Sequence, residues 1–64
     1  MTTSEKLRAL RKFEGITQRE LSELTGVHHA TISNIERGNH SVSLDVYELL
    51  LDAMGFELII SKKR

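Results

Sequence analysis

Residues 17 to 37, TQRELSELTGVHHATISNIER, decide how the rest of this chain is interpreted. The stretch opens with Thr17, and Glu20 follows three residues later. This is the spacing of a capping box, in which each residue satisfies the other's free backbone N–H at the start of a helix. Gly26 then interrupts the helical pattern, at a point where a left-handed turn residue costs least if it is glycine.

A second helix is predicted to begin near His28. Its Ile32 and Ile35 lie three residues apart, which places them on one helical face. A small side chain, Ser22, lies where the first helix has to approach the second closely. Two short helices joined by a tight glycine turn predict a helix-turn-helix unit.

The same stretch resembles the Cro/C1-type (XRE) helix-turn-helix of lambdoid phage repressors, over roughly residues 5 to 55. This resemblance implies an all-α, lambda-repressor-like domain of four helices that binds DNA. The matching segments are Thr17-Gln18, Leu21, Gly26-Val27, Ala30-Thr31-Ile32-Ser33 and Ile35-Glu36-Arg37-Gly38.

Residues 43 to 60 are more similar to HipB-type antitoxins, in which a final strand replaces the last helix of the phage proteins. The resemblance implies a transcriptional repressor that autoregulates its operon and binds a HipA-like kinase toxin. One position departs from the pattern, because the family usually has Ser or Thr as the cap of the recognition helix and this chain has His28.

The chain is expected to form one domain, residues 1–64, with an N-cap at Ser4 and a buried stripe of Leu7, Leu10 and Phe13 on the first helix. The sequence pattern predicts helices at 4–14, 18–25, 28–37 (the recognition helix) and 44–54, and a dimerisation strand at 56–61.

The predicted strand has no obvious partner in its own chain. Unpaired backbone groups at a strand edge favour pairing with another chain, and a two-fold copy is the simplest partner. A chain of 64 residues without cysteine also has few other ways to gain stability. We therefore expect a homodimer whose interface includes Phe56, Leu58, Ile59 and Ile60.

Composition is ordinary for a globular domain, with 39% hydrophobic and 28% charged residues and a formal net charge of zero. The charge is unevenly distributed. Residues 1–43 hold six Lys or Arg against five acidic residues, residues 44–60 hold only acidic charges, and Lys62, Lys63 and Arg64 follow. This polarity is compatible with a basic face for DNA. The chain lacks a membrane-length apolar run and an N-terminal signal pattern, so we expect a cytoplasmic protein without membrane attachment.

Outward residues of the recognition helix are the candidates for base contacts in a palindromic double-stranded operator: His28, His29, Ala30, Ser33 and Asn34. Candidates for phosphate contacts, some of them suggested by the resemblance, are Gln18, Arg11, Thr31, Arg37 and Asn39. The resemblance also implies a structural salt bridge between Arg11 and Glu36. If His28 and His29 lie near phosphates, DNA affinity should rise as the pH falls toward 6.

Other functions are less well supported by the sequence. A metal site would have to combine His28, His29 and His40, whose spacing is wrong for it, so no metal is expected. No nucleophile–base pair or phosphate-binding glycine loop is present, so neither an enzyme nor a cofactor is expected. A stand-alone phage-type or restriction-control regulator, and a protein-interaction module without DNA binding, remain the alternatives.

Overall fold

The computed structural model describes residues 1–39 and 41–63. It contains four helices: α1 (Thr3–Phe13), α2 (Gln18–Thr25), α3 (His29–Glu36) and α4 (Leu44–Ala53). The α2 bounds agree with the predicted ones, and the other three helices differ from the predictions by one residue at one or both ends. Within the described residues no strand is assigned.

Helix α1 begins earlier than predicted, because its N-cap lies two residues before Ser4. Thr2 is the N-cap, and its hydroxyl accepts from the Glu5 backbone N–H at 3.1 Å. The Glu5 carboxylate in return accepts from the Thr2 N–H at 3.0 Å, which lowers the pKa of Glu5. The prediction of Ser4 was wrong because Ser4 lacks a Glu or Gln three residues later, whereas Thr2 has one.

Helix α2 starts with the predicted capping box. Thr17 Oγ1 accepts from the Glu20 N–H at 3.0 Å, and Glu20 accepts from the Thr17 N–H at 3.0 Å. The helix ends at Gly26, whose φ of 80° lies in the left-handed region and whose N–H donates to the Ser22 carbonyl at 2.8 Å. This turn redirects the chain into α3 within three residues.

The hydrophobic core draws on all four helices, and α4 together with its C-cap residue Met54 supplies half of it. Helices α2 and α4 are in contact, as are α2 with α3 and α1 with α3. A hydrogen bond from the Tyr47 hydroxyl to the Thr3 carbonyl, at 3.2 Å, connects α4 to α1. Buried core residues are Leu7, Leu21, Ile32, Ile35, Tyr47, Leu50, Leu51 and Met54.

Phe13 was predicted to be buried, and this prediction was wrong, because its side chain is 81% exposed. At about 100° per residue, Phe13 lies about 120° around the helix from Leu7, whereas Arg11 lies about 40° away. Arg11 therefore takes the inward position and is buried. Leu24 and Leu44 are also largely exposed, at 62% each.

Burial alternates over residues 56–59 after α4, and Ile60 does not continue the alternation. Phe56 and Leu58 are half-buried against the core, while Glu57, Ile59 and Ile60 are exposed. A period of two is typical of extended backbone. The strand at 56–61 and its pairing across a dimer remain predictions.

Candidate nucleic-acid interface

Helix α3 presents a continuous outer face. Ile32, Ile35 and Glu36 point into the protein. Opposite them, spaced at one helical turn and two turns, lie Ala30, Ser33, Asn34 and Arg37. Ala30 and Arg37 are exposed, and Ser33 and Asn34 are half-buried. This face combines one small side chain with hydroxyl, amide and guanidinium groups. It can therefore lie close to another polar molecule and form hydrogen bonds with it.

His28 caps α3, although it is neither Ser nor Thr. Its Nδ1 accepts from the Ala30 backbone N–H at 3.1 Å. The ring also stacks on that of His29, with centroids 4.6 Å apart and planes 23° apart. Both side chains are exposed, so the two imidazoles form a polar surface at the start of the helix.

Asn34 and Arg37 are joined on the outer face. Arg37 Nη2 donates to Asn34 Oδ1 at 2.6 Å. The bond fixes which way the Asn34 amide faces, with its Nδ2–H donors free for another acceptor. Asn39 is exposed nearby, and its backbone N–H donates to the Asn34 carbonyl at 3.0 Å.

Beneath this face lies an ion pair between α1 and α3. Arg11 Nε donates to Glu36 Oε2 at 2.7 Å and Arg11 Nη2 donates to Glu36 Oε1 at 2.9 Å, which is a bidentate geometry. Arg11 Nη1 donates to the Ile16 carbonyl at 2.9 Å. The side chains are only 10% and 3% exposed. All three nitrogens of Arg11 are directed at protein acceptors, which counts against the predicted phosphate contact of Arg11.

Gln18 connects α2 to the same carboxylate. Its Nε2 donates to Glu36 Oε1 at 3.1 Å. Glu36 thus accepts three hydrogen bonds, two from Arg11 on α1 and one from Gln18 on α2. It therefore connects the first three helices. One N–H of the Gln18 amide and its carbonyl oxygen are left for other partners.

The electrostatics of Glu36 follow from these contacts. Burial disfavours its charged form, but hydrogen bonds from Arg11 and Gln18, together with the charges of Arg11 and Arg8, outweigh burial and lower its pKa. The pKa of Arg11 is raised by the hydrogen bonds that it donates to Glu36. The pair is therefore charged at neutral pH, and the three-helix arrangement that positions α3 includes a compensated buried charge.

Thr31 is half-buried and lies three residues before Asn34 on α3. It borders a cleft of about 250 Å³ between α3 and the start of α4, which is also lined by Ile35, Val42 and Val46. His40 lies outside the described residues. Within the described residues no cluster of three metal-ligating side chains occurs.

These features agree with a comparison to known families. A family model described as a helix-turn-helix domain matches residues 4–58. This chain belongs to the helix-turn-helix domain family. It is a helix-turn-helix DNA-binding protein of the XRE-like type. No curated protein matches the chain. None of the helices in residues 1–39 and 41–63 of this helix-turn-helix domain is long and apolar enough to cross a membrane.

Three contacts of the helix-turn-helix domain were not predicted from its sequence. The cap by His28, the bond from Arg37 to Asn34 and the bond from Gln18 to Glu36 all depend on side-chain rotamers. Only the second had a local signal, because residues three apart on a helix are neighbours.

Proposed function

We propose that α3 is the recognition helix of a sequence-specific, dimeric transcriptional repressor. The observation that carries the proposal is the polar outer face of α3, Ala30-Ser33-Asn34-Arg37, on a helix fixed from behind by the bidentate Arg11–Glu36 pair. A rigidly held helix with short polar side chains suits the major groove, which admits an α-helix and displays a distinct donor and acceptor pattern for each base pair.

The contacts divide into two kinds. We assign base contacts to His29, Ala30, Ser33 and Asn34. Because Asn34 Oδ1 accepts from Arg37, its Nδ2–H group is the part of the amide that is free to donate to a base acceptor. Among the residues predicted to contact phosphates, exposed Arg37 and half-buried Gln18 are the best placed.

Gln18 serves both DNA and protein in this proposal. It lies at the first position of α2, where unpaired backbone N–H groups favour an anion. The remaining amide N–H of Gln18 then supplements these backbone donors, while its other N–H holds Glu36. A phosphate contact at this position transmits no base preference but fixes the register of α3.

Dimerisation through residues 56–61 completes the proposed repressor. Ile59 and Ile60 are each 76% exposed, although Phe56 and Leu58 already anchor the segment to the core. An antiparallel ribbon with a second copy covers these isoleucines and satisfies the strand's backbone groups. Two recognition helices about 34 Å apart then fit successive major grooves of a palindrome.

The antitoxin role is the finer part of the proposal. It is supported by the resemblance of residues 43–60 to HipB-type antitoxins and by an acidic surface on α4. Asp45, Glu48 and Asp52 surround exposed Leu49 on that surface. A toxin partner with a basic, partly apolar surface is complementary to it. Copurification with the product of the adjacent gene, lost in Leu49→Lys and kept in His29→Asn, tests this role.

The readout is tested on duplexes selected from a random pool. Asn34→Ala should cost about 1–3 kcal/mol and relax base preference at one position in each half-site. Gln18→Ala should weaken all sequences by a similar factor. An unchanged specificity profile for Asn34→Ala contradicts the assignment of Asn34, and failure to select any sequence contradicts specific DNA binding.

The dimer is tested by sedimentation equilibrium of the double variant Ile59→Asp, Ile60→Asp. It leaves Phe56 and Leu58 on the core, so it should fold as a monomer, and operator affinity should fall by orders of magnitude. Truncation after Gly55 is the harsher variant. Since the chain has no cysteine, Ile59→Cys is a clean cross-linking probe of the ribbon. A dimeric double variant with intact affinity contradicts the ribbon.

A further inference from the structure

Helix α3 begins with an acceptor that titrates. The four helix starts use Thr2, Thr17, His28 and Ser43 as N-caps. Three of these accept through a hydroxyl oxygen, which keeps its lone pairs throughout the physiological pH range. The cap of α3 accepts through His28 Nδ1, 3.1 Å from the Ala30 nitrogen. An imidazole nitrogen accepts only while it carries no proton.

We infer that His28 is a positioning residue that holds the first turn of α3 only as a neutral imidazole, so that proton uptake at Nδ1 releases that turn. Two effects act in the same direction. Protonation places an Nδ1–H donor opposite the Ala30 N–H donor, and the hydrogen bond is lost. It also adds a positive charge at the N-terminus of a helix, where the dipole favours negative charge.

The cap also fixes the tautomer of His28. Because Nδ1 accepts from Ala30, the proton of the neutral ring is on Nε2. Nε2 of the neutral ring is therefore a hydrogen-bond donor. This donor belongs to an exposed ring at the start of the helix that carries the polar outer face.

The charged surroundings do not offset this effect. The neighbouring titratable group is His29, whose ring stacks on His28 at 4.6 Å, and two positive charges at this distance repel each other. The turn that leads from α2 into the cap, Thr25-Gly26-Val27, holds no charge. Within residues 1–39 and 41–63, neither α2 nor any other element has a carboxylate within ion-pair distance of His28.

This inference alters the expected effect of pH on DNA binding, a consequence that rests on the proposed function. Protonated His29 gains attraction to phosphates, as the sequence predicted for both histidines. Protonation of His28 removes the cap, and the first turn of α3, which contains His29 and Ala30, becomes less ordered. The two histidines therefore contribute to the pH dependence with opposite signs.

Nuclear magnetic resonance of the free protein tests the cap without DNA. In ¹⁵N-labelled protein at pH 8, the ring nitrogens of His28 should show the Nε2–H tautomer. As the pH falls through the range in which histidine titrates, the Ala30 amide and the Cα shifts of residues 29–31 should move toward unstructured values. Loss of an N-cap changes the equilibrium between formed and frayed turn by about two- to thirtyfold.

Two matched variants separate the cap from general charge effects. His28→Asn keeps a side-chain acceptor that does not titrate, so its Ala30 amide should stay constant with pH. His29→Asn keeps the cap and should titrate like the wild type. An Nδ1–H tautomer in His28, a pH-independent Ala30 amide in the wild type, or an equal titration in His28→Asn overturns the inference.

The DNA arm uses one selected duplex at fixed ionic strength. Between pH 7.5 and pH 6, His28→Asn should gain affinity more steeply than the wild type, and His29→Asn should lose affinity. Equal slopes in His28→Asn and the wild type overturn the consequence for DNA. If no duplex is selected, the proposed function fails, and the titration of the free protein still decides whether His28 caps α3 as a neutral ring.

Discussion

Helices α3 and α4 are attached to the same core by different kinds of contact. Behind α3, a buried carboxylate accepts two hydrogen bonds from Arg11 and one from Gln18. Helix α4 is attached mainly through apolar side chains, with Tyr47 supplying one hydrogen bond to the Thr3 carbonyl. Bidentate ion pairs are directional, whereas apolar contacts are not.

The difference suggests that the two attachments have different roles, one in orientation and one in stability. Directional bonds suit α3 in its proposed role as recognition helix, because a small rotation would move its side chains out of register with the bases. Apolar burial suits α4, because it supplies stability and leaves exposed Leu44 and Leu49 available for association. We therefore expect the polar attachment to fix the orientation of α3 and the apolar attachment to stabilise the packing of α4.

The largest expected effect on stability comes from removing one partner of the buried Arg11–Glu36 ion pair. Glu36→Ala isolates the buried Arg11 and should lower the free energy of unfolding by about 3–5 kcal/mol in urea titrations. The double variant Arg11→Met, Glu36→Leu should recover most of that stability and still bind DNA less specifically. A double variant with wild-type specificity would falsify the orienting role of the pair.

The apolar attachment is tested by neighbouring leucines on α4. Leu50 is fully buried and Leu49 is 44% exposed. Leu50→Ala should therefore cost about 2–5 kcal/mol of unfolding free energy, whereas Leu49→Ala should stay within about 0.5 kcal/mol. Both are measured under conditions that keep the protein monomeric. Equal losses at the two positions are incompatible with the described packing of α4.

Acid should weaken the polar attachment selectively. The folded-state pKa of Glu36 is lowered relative to its ordinary value. Its contribution to stability is therefore complete above the unfolded-state pKa, about 4.3, and is lost as the pH falls through the lower folded-state value. Thermal unfolding between pH 6 and pH 3 should show a steeper loss in wild type than in Glu36→Gln, and parallel curves contradict the assignment.

The smallest effect is expected at the start of α2, which carries Gln18 into the polar attachment. Thr17→Ala removes the hydroxyl that accepts from Glu20 and should cost about 1 kcal/mol. Thr17→Asn keeps a good N-cap and serves as the control. If thermal unfolding gives the two variants the same stability, the capping bond is not formed in solution.

Much of this fold was predictable from local sequence signals. The α2 capping box, the Gly26 turn and the inward Ile32 and Ile35 follow from residue type and spacing alone, and all four are present. The predicted burial of Phe13 was wrong, because a charged residue, Arg11, takes the inward position on α1. Periodicity assigns the inside of a helix to apolar residues and has no means of detecting a compensated buried charge.

The candidate site was less predictable than the fold. Spacing indicated that Ser33 and Asn34 lie outward, and they are half-buried on the outer face. The orientation of the Asn34 amide and the cap by His28 depend on rotamers, which sequence spacing does not determine. The contacts of these residues with DNA stay predictions.

The tie from Tyr47 to Thr3 has a consequence for chain topology. Met1 and Leu58 line one cavity of about 360 Å³ together with Tyr47, so early and late segments of the chain lie side by side. A circular permutant that links these segments and opens between α3 and α4 should keep the same architecture. In that permutant α4 precedes α1, and the Tyr47–Thr3 contact spans about 20 residues plus the linker instead of 44. Contacts between α2 and α4 then span more residues than in the natural order, so no gain in folding rate is expected from the permutation.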